Sequence, residues 1–250
     1  MTATTDAVVL ERVTKRYDAL TAVGDLSLRI RQGALFGLLG PNGAGKTTTL
    51  RALSGIITPS AGSIAVGGFD MAREPERAKS LLAFIPDEPQ LFDYLTVEEH
   101  LQFTARLYGA ADAAGRIPAL LGELELNDKR SALPSELSRG MKQKLAIACG
   151  LVHAPSALIL DEPLTGLDPA GIRRMKGTIA SRAKSGVAVL LSSHLLHLVE
   201  ELCTRLLVIQ QGRMVAIGTI AEIVAGRPQL AGQGLEDIFL ALTGDGGAPA

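Results

Sequence analysis

The segment that most constrains the fold is a glycine-rich loop placed between a strand pattern and a helix pattern. Residues 34–50 read "ALFGLLGPNGAGKTTTL". The apolar run before Gly40 is typical of a buried strand, and the residues from Lys46 onward follow a helical pattern. The loop between them matches G-x-x-x-x-G-K-[ST] in the strand, loop and helix context that this pattern requires. A strand that passes directly into a helix favours an α/β fold.

The glycine loop has the chemistry of a phosphate-binding site. Glycines let successive backbone N–H groups turn inward toward phosphate oxygens, and the helix that follows adds its positive N-terminal end. Lys46 is predicted to reach the β- and γ-phosphates of a nucleotide, and the Thr47 hydroxyl to ligate Mg²⁺. The alternative, a glycine turn that only connects two elements, is disfavoured because every fixed position of the pattern is present. The predicted nucleotide contacts of this loop are Gly40, Pro41, Asn42, Gly43, Ala44, Gly45, Lys46, Thr47 and Thr48.

Two adjacent acidic residues follow a second apolar strand pattern. The segment "SALILDEPLTGLDP" places Asp161 and Glu162 at the carboxyl end of that strand. In an α/β fold this end lies beside the phosphate loop, so Asp161 is predicted to contact Mg²⁺, through a water molecule, and Glu162 to orient the attacking water. An acidic turn without function is the alternative, and it is disfavoured once a complete phosphate loop precedes it.

The arrangement of the remaining patterns indicates a single domain with an insertion. Short strand patterns, from "VVLERV" near the start to "RMVAIG" near the end, alternate with turns and helical patterns, which favours a mostly parallel central sheet. Residues from about 93 to 152 show helical patterns without a strand pattern. We therefore expect a core and β subdomain over 1–92 and 153–225, a helical subdomain over 93–152, and a C-terminal extension over 226–250.

Charge and hydropathy narrow the range of partners. The 25 basic and 26 acidic residues give a formal charge of -1, without the basic footprint expected of a nucleic-acid binder. The start, "MTATTDAVVLERV", lacks the pattern of a secretory signal, so the chain is expected in the cytoplasm. The most apolar stretch, "GVAVLLSSHLLHLVEEL", is interrupted well before the roughly 20 apolar residues that a membrane helix needs. Direct membrane insertion is not expected, and a membrane role would require a partner.

Five motifs together resemble one family. The segments "GPNGAGKT", "LSRGM", "LILDEP", "GLDP" and "SSH", in this order and spacing, are similar to the ATP-binding subunits of ABC transporters, and the resemblance covers nearly the whole chain. It implies a P-loop nucleotide hydrolase fold with an antiparallel β subdomain and an inserted helical subdomain, and ATP with Mg²⁺ as cofactors. It also implies a homodimer, or a pair with a related ATPase subunit, that powers transport through separately encoded membrane-spanning subunits.

The same resemblance implies roles for residues outside the phosphate loop. Tyr17 matches the aromatic residue that stacks on adenine, and His194 matches the histidine that contacts the γ-phosphate and holds the attacking water. Ser138 and Gly140 match the signature residues that contact a γ-phosphate bound by the partner, while Asp168 matches a residue that crosses the dimer interface. Two structural alternatives stay open: a partly buried tyrosine at position 17, and an N-cap at position 168.

The sequence departs from the family pattern at three positions. Asp87 aligns with a glutamine that contacts the metal or water in many relatives. An aspartate there could ligate Mg²⁺, or it could be a solvated loop acid; the sequence favours neither. In the signature segment, Arg139 and Met141 replace a glycine and a polar residue. These replacements are expected to keep the phosphate contacts and to alter turnover.

Export is the expected direction of transport, because the short single cassette and the segments "IPDEPQLFDYLTVEEHL" and "LEDIFLALTG" resemble bacterial exporter subunits. Such a subunit lies peripherally on the inner face of the cell membrane, held by its partner. An importer subunit stays open as an alternative, and so do two other functions. One is a soluble ABC-type ATPase that acts on ribosomes or nucleic acid, and the other is a regulatory subunit with low turnover.

Overall fold

A computed structural model describes residues 6–244 of the chain, which form two β-sheets with helices packed around them. The first sheet is antiparallel, with strand order β2-β1-β4-β5. In β2, the side chains of Leu26, Leu28 and Ile30 are buried and the residues between them are exposed. This alternation is typical of an antiparallel sheet with one face packed on the core. The strands of this sheet are β1 (Asp6–Tyr17), β2 (Leu20–Arg31), β4 (Ala61–Val66) and β5 (Phe69–Asp70).

The second sheet is central and mostly parallel, with strand order β10-β9-β3-β8-β7-β6. Strands β3, β7 and β8 are buried along their whole length, which explains why their sequences are continuous apolar runs. Only β10 runs antiparallel, beside β9 at one edge. The strands of this sheet are β3 (Leu35–Leu39), β6 (Leu82–Ile85), β7 (Ala157–Asp161), β8 (Ala188–Ser192), β9 (Arg205–Gln210) and β10 (Arg213–Gly218).

The predicted sheet architecture is confirmed, with one addition. A mostly parallel central sheet and a separate antiparallel sheet are both present. Strand β5 was not predicted because it has only two residues, too few to show an alternating pattern.

Nine α-helices surround the two sheets within residues 6–244. Helix α3 begins with a capping box, in which Thr96 and Glu99 exchange hydrogen bonds with each other's backbone. Short 3-10 turns lie at 127–129, 134–136 and 228–230. The helices are α1 (Lys46–Leu53), α2 (Pro75–Ser80), α3 (Val97–Leu107), α4 (Ala113–Glu123), α5 (Arg139–Leu151), α6 (Pro169–Lys184), α7 (Leu196–Leu202), α8 (Ile220–Ala225) and α9 (Leu235–Thr243).

The inserted helical subdomain, formed by α3, α4 and α5, shares its core with the central sheet. Leu101, Leu121 and Leu145 are fully buried and belong to one apolar cluster with Leu160 and Leu191 of the sheet. Because this core is continuous, the helical subdomain is held against the sheet by hydrophobic packing. The exact boundaries expected at residues 93 and 152 stay predictions. Of the C-terminal extension, α9 packs near α7, and residues 245–250 lie outside the described range.

Strand order brings the sequence motifs to one edge of the central sheet. Strand β8 lies between β3 and β7, with Ser192 paired to Leu38 on one side and to Asp161 on the other. The loop after β3, the acids at the end of β7 and the residues after β8 therefore meet at the carboxyl ends of parallel strands, where α/β folds bind ligands.

Candidate nucleotide-binding site

A cavity of about 1580 Å³ lies at this edge of the sheet. Its lining includes the whole predicted loop from Gly40 to Thr48, together with Tyr17. Asp87, Asp161, Glu162 and His194 also line it. The cavity exceeds the volume of a typical small-molecule site, so a nucleoside triphosphate fits within it.

Two different causes require glycine in the loop. A Cβ atom at Gly40 would lie 2.4 Å from the Ile209 carbonyl oxygen, and one at Gly45 would lie 2.4 Å from the Ala22 carbonyl oxygen. Both positions are therefore closed to larger residues by neighbouring backbone. Gly43 has open space around it, and its φ of +77° explains its identity instead. Gly45 is also the N-cap of α1, where no side chain caps the exposed N–H groups. Those groups remain suited to an anion.

Lys46 is held over the loop by two backbone carbonyls. Its Nζ donates hydrogen bonds to the carbonyl oxygens of Gly40 at 2.6 Å and Pro41 at 3.1 Å. Burial lowers the pKa of the Lys46 ammonium, and the nearby carboxylates of Glu162 and Asp161 oppose that shift. A partly buried cation beside a glycine-rich loop fits a phosphate group as an additional partner.

Ser192 organises the two acids, and sequence reasoning missed it. Its buried hydroxyl donates to Asp161 Oδ1 at 2.5 Å and accepts from the Glu162 N–H at 3.1 Å. The signal was present as the first serine of "SSH", but its role depends on the pairing of β8 with β7. Asp161 and Thr47 both line the cavity and supply hard oxygen atoms, which are the ligand type that Mg²⁺ prefers.

Glu162 and His194 form a direct pair. Glu162 Oε2 lies 2.8 Å from His194 Nδ1, and the same oxygen accepts the His194 backbone N–H at 3.3 Å. The Glu162 side chain is 16% exposed and that of His194 is 64% exposed. Glu162 also has a positive φ of 50°, a backbone conformation that is strained for a residue with a side chain. The carboxylate and the imidazole are thus fixed together at the mouth of the cavity.

Tyr17 also lines the cavity, and this residue is 44% exposed. Lys15 Nζ lies 5.0 Å from the centre of the ring. Leu20 and Ile56, which sequence reasoning did not select, line the same cavity and are exposed. An exposed aromatic ring beside aliphatic groups suits a planar base.

Ser138, Gly140 and Asp168 do not line the cavity. The Ser138 hydroxyl accepts the Met141 N–H at 3.3 Å and caps α5. A Cβ atom at Gly140 would lie 3.0 Å from the Gly166 carbonyl oxygen, so the signature segment packs on the turn after β7. Asp168 caps α6 by accepting the Gly171 N–H at 2.8 Å, as its structural alternative predicted.

Comparison with known proteins agrees with this geometry. The sequence pattern of the "ABC transporter" family matches residues 23–165, which is more than half of the chain. The chain belongs to this family. Within the described residues 6–244, no helix combines the length and apolar character that crossing a membrane requires. The assignment explains why the glycine loop, the acids and the signature segment occur in one chain.

Relatives of this ABC protein include two proteins that are named as ATP-binding proteins. The "Nod factor export ATP-binding protein I" of Paraburkholderia xenovorans is 41% identical over 221 residues, covering 88% of this chain and 73% of that protein. The "Linearmycin resistance ATP-binding protein LnrL" of Bacillus subtilis is 35% identical over 237 residues, covering 92% of this chain and 76% of that protein. A solved structure titled "Structure of ATP binding subunit of ABC transporter" is 34% identical, with a TM-score of 0.90 over 94% of this chain and 99% of that one. The chain is accordingly an ATP-binding and ATP-hydrolysing subunit.

Replacement of Ser192 by alanine tests its role in this ABC ATPase. Ser192→Ala removes the only hydroxyl bonded to Asp161 Oδ1 in the described structure, and a buried acceptor left without a donor costs roughly 1–3 kcal/mol. We expect lower stability in urea and reduced ATP hydrolysis. Ser156→Ala is the matched control, because Ser156 bonds the Leu81 carbonyl at the other end of β7. Equal ATPase activity in the two variants would exclude a role for Ser192 in ordering the acids.

Proposed function

We propose that this protein dimerises around two Mg²⁺–ATP complexes and drives export through membrane-spanning partner subunits. The position of Ser138 and Gly140 supports the proposed dimer. Ser138, Gly140 and Asp168 lie outside the cavity, whereas all the other proposed nucleotide-binding residues line it. Signature residues that take no part in their own cavity are available to a nucleotide bound by a second copy. The N-terminus of α5, which they form, has the positive potential that favours phosphate.

Each cavity residue has a proposed role at the triphosphate. Lys46 and the loop amides bind the β- and γ-phosphates, and Tyr17 stacks on the base. Thr47 and Asp161 hold Mg²⁺, the latter through water, with Asp87 a further candidate ligand. When bound, the metal neutralises charge on the phosphate oxygens.

Hydrolysis by this site relies on position and electrostatics. The Glu162 carboxylate accepts a hydrogen bond from the attacking water and orients its lone pair toward the γ-phosphate. His194, paired to Glu162 through Nδ1, presents its other nitrogen to the phosphate and fixes the carboxylate. Lys46 and the amides stabilise the charge that develops on the γ-phosphate oxygens. Closure of two copies excludes bulk water and strengthens each of these interactions.

An exposed apolar patch supports a protein partner. Phe92, Tyr94, Phe103 and Leu107 are exposed, and the rings of Phe92 and Phe103 pack edge to face with centres 5.2 Å apart. His100 holds this loop in place by accepting the Phe92 N–H at 2.9 Å. Contiguous exposed aromatic groups are typical of interaction surfaces. We assign this patch to the membrane-spanning subunit, which would hold the ATPase at the inner face of the membrane. The relatives named for Nod factor export and for linearmycin resistance support transport out of the cell.

A mixing experiment tests the shared site. Lys46→Ala removes the phosphate cation from one half of a site, and Ser138→Arg blocks the other half. Each variant alone is expected to hydrolyse ATP poorly. Mixed dimers carry one intact site, so an equimolar mixture should recover about one quarter of the parent activity. The same Lys46→Ala protein mixed with the double variant Lys46→Ala/Ser138→Arg is the control, because no intact site can form. Absence of recovery in the first mixture would refute the proposed dimer.

A further inference from the structure

The cavity has an excess of negative charge. Four carboxylates line it, those of Asp87, Glu88, Asp161 and Glu162, against the two permanent cations of Lys46 and Arg51. Asp87 Oδ1 is buried and has no hydrogen-bond partner among the described residues. A triphosphate is itself a polyanion, so an uncompensated Asp87 would repel it.

Arg139 supplies a positive charge beside this carboxylate. Its Nη2 lies 3.8 Å from Asp87 Oδ1, which is within ion-pair distance and too long for a hydrogen bond. The aliphatic part of Arg139 lies over Gly166, where an added Cβ would be 3.0 Å from Arg139 Cδ. Arg139 therefore contacts two segments that lead to the cavity: the loop after β6 and the turn after β7.

Each of the two residues is unfavourable without the other. Arg139 is the first residue of α5, where the helix dipole disfavours a cation, and the first turn of α5 contains no acidic residue. Asp87 adds a fourth carboxylate to an acid-rich cavity. Their proximity lowers both costs, since each charge lies within ion-pair distance of the opposite charge. Both residues are also departures from the family pattern, in which a glutamine and a glycine are common.

We infer that Arg139 is a positioning residue that neutralises Asp87, so that the loop after β6 accepts the γ-phosphate of ATP. This inference rests on the proposed placement of the triphosphate in the cavity. It assigns Asp87 to a charge pair with Arg139 in place of direct metal ligation. The pair is half exposed, with side-chain exposures of 62% for Arg139 and 45% for Asp87, so the expected effect on binding is moderate.

A double-mutant cycle tests the pair by ligand binding. Calorimetry with Mg²⁺ would compare a β,γ-imido analogue of ATP with ADP, which lacks the γ-phosphate. Arg139→Ala should weaken the analogue roughly threefold to tenfold and ADP less than twofold. Asp87→Asn should bind the analogue at least as tightly as the parent, and the double variant Arg139→Ala/Asp87→Asn should return to within about twofold of the parent. Arg139→Lys, which keeps the charge, should stay close to the parent.

Controls separate this inference from the proposed site. Arg173→Ala removes an exposed arginine from α6 and should change neither affinity. Thermal unfolding without nucleotide verifies that each variant is folded. If Asp87→Asn weakens the analogue and the double variant shows no recovery, Asp87 ligates the metal and the inference is wrong. Equal losses for the analogue and ADP in Arg139→Ala would also overturn it. A different result would refute the proposed nucleotide site itself: unchanged binding of both the analogue and ADP by Lys46→Ala.

Discussion

Glu162→Gln is expected to lower ATP hydrolysis about 100-fold or more while ATP binding is retained. The glutamine amide keeps the size of the side chain. It is neutral and much less basic than the carboxylate, so it cannot accept a proton from the attacking water. In the proposed dimer, hydrolysis removes the γ-phosphate bond that links the two copies through their nucleotides, so the variant should accumulate as an ATP-bound dimer. Phosphate release measures the first effect, and gel filtration with light scattering in the presence of Mg²⁺–ATP measures the second.

Glu88→Gln is the matched control for this variant. Glu88 also lines the cavity, but no role in hydrolysis is proposed for it. It should hydrolyse ATP within a few-fold of the parent and show no stable dimer. A Glu162→Gln protein that elutes only as a monomer with ATP would contradict the proposed cycle, whatever its activity. Loss of ATP binding in that variant would show instead that Glu162 is needed to form the site.

Lys46→Ala is expected to weaken ATP binding roughly 10- to 100-fold, which is the range for loss of a charge-assisted hydrogen bond to phosphate. The lysine already lies over the loop, bonded to the Gly40 and Pro41 carbonyls, so it needs little reorganisation to reach a phosphate. The nucleotide-free variant should remain folded, since alanine is favourable at the first position of α1. Calorimetry with the β,γ-imido analogue gives the affinity without turnover.

Lys184→Ala is the control for the loss of one positive charge away from the cavity. Lys184 is exposed in the last turn of α6 and does not line the cavity. Its replacement should leave affinity unchanged. If Lys46→Ala binds the analogue within twofold of the parent, the phosphates do not lie over the glycine loop.

The sequence predicted the parts of the site that depend on local order. The glycine loop, Lys46 and Thr47 lie within nine consecutive residues, and their geometry follows from a strand that passes directly into a helix. The central sheet was predictable for a similar reason, because fully buried strands such as β3 and β7 leave continuous apolar runs. The structure brings most of the predicted site residues together around one cavity. Their contacts with nucleotide and metal stay predictions.

Contacts between distant segments could not be predicted. The pairing of Glu162 with His194 spans 32 positions and depends on β8 lying beside β7. The approach of Arg139 to Asp87 depends on how α5 packs against the loop after β6, and no pattern in the sequence specifies that packing. Sequence reasoning treated these two departures as separate questions, whereas the structure places their charges side by side.

The packing of Gly140 on the Gly166 carbonyl has a consequence for communication between copies. In the proposed dimer, the signature segment of one copy would contact the nucleotide of the other. That segment rests on a turn only four residues after Glu162. A change in the hydrolytic centre of one copy would therefore reach the opposite nucleotide through one short turn of chain. In the proposed dimer, such a short path would couple the two ATP molecules through the interface.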